Sequence, residues 1–188
     1  FNVDEINTAR VMKSYNYSKN DSRLKNIDLN DPENIPFGYP LNKKTFARGG
    51  HGLFSTIDDY VKFANMLLDG KSTDGTKIIE KKTIDTMSVN NLTENLLPIE
   101  IKSEDEEKNK NYQNSLRPYG WGLGFRSLMS VEKNENFGSI GEFGWAGAAN
   151  TYFIVDPKKN LTATIMSQVT SPIETLNRDF YKFVYSNF

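Results

Sequence analysis

The sequence predicts an α+β fold in which an antiparallel β-sheet is flanked by helices. Three observations carry this: an amphipathic stretch over residues 55–70, aromatic and apolar runs punctuated by turn residues from Tyr119 to Gln168, and a second amphipathic stretch at the end of the chain. With 188 residues the chain is long enough to bury a core of ordinary size.

Each element follows from local pattern. Residues 1–47 are polar, rich in Asn and Lys, and broken by Asp31-Pro32, Ile35-Pro36 and Tyr39-Pro40. They read as an irregular segment crossing toward the helical region, with residues 48–188 forming the folded portion. After Gly49-Gly50-His51-Gly52 a helix begins. Ser55 is its expected cap with Asp58 closing the capping box, and Ile57, Tyr60, Val61, Ala64, Leu67 and Leu68 form its apolar face up to Gly70. A shorter helix is expected over 80–90, with Ile84 and Met87 inward. Residues 100–110 carry dense charge and read as a solvated loop.

From Tyr119 to Phe125, aromatic and apolar residues alternate with glycine, which predicts a strand. A dinucleotide loop is excluded because Phe125 stands where the third glycine of that motif belongs. Two further strands are expected at Trp145–Val155 and Leu161–Gln168, joined by the turn Asp156-Pro157-Lys158-Lys159-Asn160. A closing helix is expected, capped by Ser171 with Pro172 at its first position and Glu174 completing the box. Its buried face is read as Ile173, Leu176, Phe180, Phe183 and Val184.

Composition removes several functions. The mean hydropathy is −0.59, and no apolar run approaches the ~20 residues of a spanning helix. Lys plus Arg number 23 against 24 Asp plus Glu, a balance that gathers neither phosphate backbones nor anionic lipid, so no nucleic-acid partner is expected. No Cys and a single His exclude a disulfide framework and a Cys/His zinc cluster. The carboxylates do not cluster, and no metal or other cofactor is expected. The opening at Phe1, without an initiator Met or a signal-peptide pattern, reads as a cut or processed end with polypeptide missing upstream.

Chemistry is best placed at Gly141-Glu142-Phe143-Gly144-Trp145-Ala146-Gly147-Ala148-Ala149-Asn150, where small residues replace the β-branched bulk of an ordinary strand. Something approaches this backbone closely, either a ligand oxyanion taking a main-chain N–H or a tightly packed helix. The residues alone leave both open. Text matches to Ser-x-x-Lys at Ser22–Lys25 and Ser130–Lys133 are what 14 Ser and 17 Lys produce by chance. Neither lies at a hydrophobic helix start. Tyr112-Gln113-Asn114 and Tyr185-Ser186-Asn187 are read the same way, as are the sequons at Asn16, Asn20, Asn91 and Asn160. His51 has no triad pattern around it and reads as structural.

Three blocks carry a family resemblance: Gly49 to Tyr60, Tyr119 to Phe125, and Gly141 to Ala148. In this order they resemble the carboxy-terminal half of the serine β-lactamase-related family, the class C β-lactamases, DD-peptidases and esterases, and the esterase branch most of all. The resemblance implies a serine acyl-transfer enzyme of β-lactamase/penicillin-binding-protein-like fold. Its nucleophilic Ser, Lys and Tyr would lie in the missing amino-terminal half of the same protein, and its substrate would be a small ester or amide. It also implies that Trp145-Ala146-Gly147 stands in place of the family's Lys-Thr-Gly, that Ala148 supplies an oxyanion backbone N–H, and that Trp145, Ala146, Gly147 and Tyr119 meet substrate. Trp and Ala offer neither the charge nor the hydroxyl that would hold a substrate carboxylate, which favours esterase or transesterase over lactamase. Asn150 stands where the esterase pattern has Gly and is tolerated as the non-glycine best suited to positive φ. The alternative is a module that keeps the groove and binds a peptide or acyl ligand without a nucleophile.

Overall fold

The computed structural model describes residues 3–18, 22–28, 53–100, 116–131, 138–170 and 176–188. Its centre is a five-stranded antiparallel meander: β3 (Tyr119–Trp121), β4 (Arg126–Leu128), β5 (Phe143–Gly147), β6 (Thr151–Asp156) and β7 (Leu161–Ile165), in that spatial order. Before it come a 3-10 helix at Glu5–Arg10 and a two-stranded hairpin of β1 (Tyr15–Ser18) and β2 (Arg23–Asn26). These add regular pieces to a segment whose composition predicts few. The hairpin is tied to the chain beyond β7 by Tyr15 N–H donating to Gln168 C=O and Thr170 N–H donating to Tyr15 C=O, at 2.8 and 2.9 Å.

Both sheet faces are covered. Helices α1 (Ile57–Asp69) and α2 (Lys81–Ser88) bury Ala64, Leu67 and Ile84 against Phe125, Phe143, Phe153 and Val155. Helix α3 (Leu176–Asn187) lies on the other face, where Tyr181 and Val184 meet Ile154. A central strand buried on both sides needs apolar residues at every position, which is why β6 reads Tyr-Phe-Ile-Val without alternation.

Helix α1 begins one residue later than the sequence suggests. Thr56 is its cap: its hydroxyl oxygen accepts from Asp59 N–H at 3.2 Å, and the hydroxyl donates to the Asp59 carboxylate at 3.1 Å. Ser55 and Thr56 are each followed three residues on by Asp, so the pattern fits two registers equally. Gly70 ends the helix at φ +84, as expected, and a Cβ there would lie 2.1 Å from the Ile79 carbonyl oxygen.

Two strand expectations are corrected. The run from Tyr119 to Phe125 is a strand end followed by a turn, closed by Gly122 N–H donating to Phe125 C=O at 2.7 Å, and it leads into β4. Its glycines admit the chain leaving α2: a Cβ on Gly122 would lie 2.0 Å from the Met87 carbonyl oxygen. The expected strand Trp145–Val155 is in fact the hairpin β5–β6, reversing through Ala148, Ala149 and Asn150. The β6–β7 hairpin is as expected, with Asp156 Oδ1 accepting from Lys158 N–H and Lys159 N–H in its turn.

The buried face of α3 also differs. Phe183 is 66% exposed, while Tyr181 is buried in its stead. Hydrophobicity misleads here because the sheet beneath α3 carries buried carboxylates that select hydroxyl-bearing rings. The cap residues 171–175 lie outside the described residues, as do His51, Tyr112–Asn114 and the charged loop beyond Glu100.

Phe143 is fully buried, so Phe143→Ala is expected to destabilise the fold by about 3–5 kcal/mol in urea denaturation. Phe183→Ala is expected to change stability by no more than about 0.5 kcal/mol. Equal losses for the two would reverse the assignment of the α3 face.

Candidate active site

The hairpin β5–β6 builds the site. Gly147 pairs with Thr151, which leaves a three-residue loop. Asn150 N–H donates to Gly147 C=O at 3.0 Å, and Asn150 takes the left-handed conformation at φ +57. This is the common three-residue hairpin loop, a tight turn followed by a left-handed residue, and Asn fills the position that otherwise asks for glycine. Its side chain has further partners: Asn150 Nδ2 donates to Val169 C=O at 2.6 Å, and the Tyr152 hydroxyl donates to Asn150 Oδ1 at 3.2 Å. Ala148 thus sits on the exposed outer limb of a turn held from below, and among the described residues its N–H carries no hydrogen bond.

Strand β4 pairs with β5 only at Gly144 and Phe143, so Trp145, Ala146 and Gly147 have a strand neighbour on the β6 side alone among the described residues. A cleft of about 640 Å³ opens beside them. Trp145, Ala146 and Gly147 line it from β5, Thr151 and Phe153 from β6, and Thr164 from β7. Thr56, Asp59 and Tyr60 close it at the start of α1, and Asn7, Arg10 and Val11 close it from the 3-10 helix. Lys62 and the Thr56 hydroxyl hold the Asp59 carboxyl below its ordinary range through hydrogen bonds of 2.8 and 3.1 Å. Trp145 stays 38% exposed, edge-on to Trp121 with ring centroids 4.4 Å apart.

Of the residues singled out in the sequence, Trp145, Ala146 and Gly147 are brought together on the cleft, with Ala148 one residue beyond. Tyr119 is elsewhere: it is 5% exposed, with the Arg126 guanidinium 4.5 Å over its ring, and it does not line the cleft. Ser22 lies in the β1–β2 turn at φ +53 with Lys25 on a strand, and Ser130 is exposed beyond β4, so neither stands at a helix start. Tyr185 has a structural use, described next.

Behind β5 lies a buried polar cluster that the sequence reading missed. Arg126 Nη2 donates to the Tyr181 hydroxyl at 2.7 Å, which donates to Glu142 Oε1 at 2.8 Å. The Tyr185 hydroxyl lies 2.8 Å from Glu142 Oε2 and 3.1 Å from Asp156 Oδ2. One phenolic proton cannot serve both carboxylates. A proton on Glu142 completes the set, since Glu142 then donates to Tyr185 and Tyr185 to Asp156. Burial pushes the Glu142 carboxyl upward, against the lowering effect of the two tyrosines and Arg126. The Tyr181 and Tyr185 phenols are likewise raised, first by burial, and stay protonated donors.

The family model described as Beta-lactamase matches residues 1–182. The chain belongs to this family. Among curated relatives, the Uncharacterized protein MT1414 and Protein Rv1367c of Mycobacterium tuberculosis (strains CDC 1551 / Oshkosh and ATCC 25618 / H37Rv) are each 29% identical over 131 residues. The aligned region is 66% of this chain and 29% of each relative. Among solved structures, unliganded simvastatin synthase (LovD) from Aspergillus terreus, as its selenomethionyl derivative, superposes with a TM-score of 0.69 at 22% identity, covering 96% of this chain and 43% of that one. EstCE1, described as a hydrolase with promiscuous acyltransferase activity, superposes with a TM-score of 0.68 at 16% identity, covering 92% and 43%. These likenesses establish a β-lactamase-like fold, and the chain spans under half the length of the proteins it matches.

Because burial raises the folded-state pKa of Glu142 above its ordinary 4.5, its contribution to stability is complete below 4.5 and is lost as pH rises through the elevated value. Glu142→Gln retains the donor and is expected to flatten that decline in thermal unfolding measured across pH. An unchanged slope would place the buried proton elsewhere.

Proposed function

We propose that this chain supplies the acyl-site strand of a serine carboxylesterase or transesterase that works through an acyl-enzyme. The observation that carries the reading is the Ala148 N–H, without a hydrogen bond among the described residues, held at a fixed turn directly after Trp145-Ala146-Gly147 and beside an open cleft. The nucleophilic Ser, with the Lys and Tyr that move its proton, is assigned to the amino-terminal part of the same protein. The serine oxygen attacks an ester carbonyl, and the carbonyl π electrons move onto oxygen. The resulting oxyanion accepts from Ala148 N–H and from the nucleophile's own amide. Collapse expels the alkoxide, which takes the proton released by the serine. Water or a second alcohol then repeats the sequence on the acyl-enzyme.

Trp145 decides the substrate class within this reading. Its ring presents an apolar wall where a cation would be needed to hold a carboxylate, so uncharged esters are favoured over β-lactams. Amino-terminal polypeptide and a small ester are the partners this requires.

Ala148→Pro tests the oxyanion assignment in the intact protein. Ala148 is the second residue of the Gly147–Asn150 turn, a position that suits proline, so the substitution deletes the N–H with little disturbance to the loop. Ester turnover is expected to fall by about 100–1000-fold, while Trp145→Ala mainly changes acyl preference. Unchanged turnover in folded Ala148→Pro would overturn the placement. Labelling of the intact protein by a fluorophosphonate, located by mass spectrometry, is expected on an upstream serine. No adduct would favour the non-catalytic acyl- or peptide-binding module.

A further inference from the structure

The two tryptophans of this chain meet, and the way they meet bears on selectivity. Trp121 ends β3, and both its backbone polar groups are tied to the segment leaving α2. Its N–H donates to Asn90 Oδ1 at 3.0 Å, and its C=O accepts from Asn91 N–H at 2.8 Å. Asn90 is itself fixed, donating to Leu92 C=O and accepting from Leu92 N–H at 3.0 and 3.1 Å. Next to Trp121, Leu123 N–H donates to Met87 C=O at 2.8 Å, and glycines 120 and 122 let the α2 segment lie directly on the strand. The Trp121 ring is therefore carried on a backbone clamped from both sides.

Trp145 is less constrained. It lies past the end of β4, on an edge of β5 that has no strand neighbour among the described residues, with 38% of its surface exposed. Trp121 sits edge-on to it at 4.4 Å and 83°, a favourable aromatic geometry that rests on orientation as well as contact. We propose that Trp121 is a positioning residue that fixes the Trp145 indole as the wall of the acyl site and so sets preference for substrates with a bulky, uncharged acyl group. This rests on the esterase reading above. In its absence the Trp145 side chain regains rotamers that fold into or away from the cleft, and discrimination between short and long acyl groups is lost.

The test uses the intact protein with p-nitrophenyl acetate and p-nitrophenyl octanoate. In wild type, two indoles in edge contact give an exciton couplet in the far-ultraviolet circular dichroism, and Trp121→Ala and Trp145→Ala are each expected to abolish it. Trp121→Ala is expected to lower the octanoate-to-acetate ratio of kcat/KM by about 5–10-fold, in the direction of Trp145→Ala, through KM for octanoate. The double variant is expected to fall within about two-fold of Trp145→Ala alone, because one residue acts through the other. Trp121→Phe, which keeps an aromatic edge, is expected to restore most of the ratio. If Trp121→Ala does not fold, Trp121→Leu fills the space without the ring edge and carries the same expectation.

A shifted ratio for Trp145→Ala beside a wild-type ratio for folded Trp121→Ala or Trp121→Leu would overturn this inference and leave the esterase reading intact. Purely additive effects in the double variant would overturn it as well. An intact wild type that turns over neither ester while showing the couplet would overturn the esterase reading, and this inference with it.

Discussion

The arrangement depends on the hydrogen-bonded lattice between α3 and the start of β5. Tyr181 and Tyr185, one helical turn apart, meet the two oxygens of a single buried carboxyl, that of Glu142. This fixes the rotation of α3 about its axis, because no other face of the helix offers two hydroxyls at that spacing. It fixes β5 as well, since Glu142 immediately precedes Phe143, the residue buried against α1 and α2 on the opposite face. An apolar contact here would tolerate sliding. A lattice of directed hydrogen bonds in a water-poor interior does not, because a mispaired carboxyl or phenol costs more than the net value of the bond it loses.

Rigidity at one end of β5 makes the freedom at the other end useful. From Glu142 to Gly144 the strand is hemmed by β4, β6 and side chains on both faces. From Trp145 to Ala148 it loses its β4 neighbour and projects beside the cleft. A backbone donor aimed at a developing charge works only if it does not have to reorganise during reaction. In the proposed reading the Gly147–Asn150 turn would meet that requirement through Asn150, which takes the left-handed conformation and bonds to Val169 beyond β7. A glycine at the same position would supply the conformation without the anchor.

The sequence made the local elements legible where a single periodic signal was uncontested. The α1 face, the Gly70 stop and the Asp156–Asn160 turn all follow from residue types alone. Failure came where two physical demands shared one residue pattern. Alternating glycines from Gly120 to Gly124 imitate a strand, but Gly120 and Gly122 are there because the α2 segment lies on the backbone, a non-local fact, and Gly124 because its φ is +100. Phe183 outranks Tyr181 on hydrophobicity, yet the buried face of α3 is chosen by carboxylates that lie 29 to 43 residues from the tyrosines they meet. The small residues from Trp145 to Ala148 mark a close approach in the sequence, and Trp145, Ala146 and Gly147 lie on the candidate cleft, whereas its walls from the 3-10 helix and β7 carry no motif. The Tyr119 ring covers Arg126 and does not line the cleft, a placement that its aromatic block does not reveal.

In the proposed reading, which sets Trp145-Ala146-Gly147 in place of the family's Lys-Thr-Gly, the change has structural consequences beyond lost charge. A lysine at position 145 would reach solvent from a strand edge with no side-chain support. A tryptophan there exposes a large apolar surface, and such a ring stays in place only if something holds its edge. The Trp121 ring meets that edge, and Asn90 and Asn91 hold the Trp121 backbone. Trp145 is thus matched by an aromatic on a different strand and a clamp on a third segment. A lysine placed at position 145 would remove the edge-on contact and leave the Trp121 ring without this partner. In the proposed reading, an acyl preference set by the Trp145 side chain would rest on four residues spread over 56 positions of sequence, from Asn90 to Trp145.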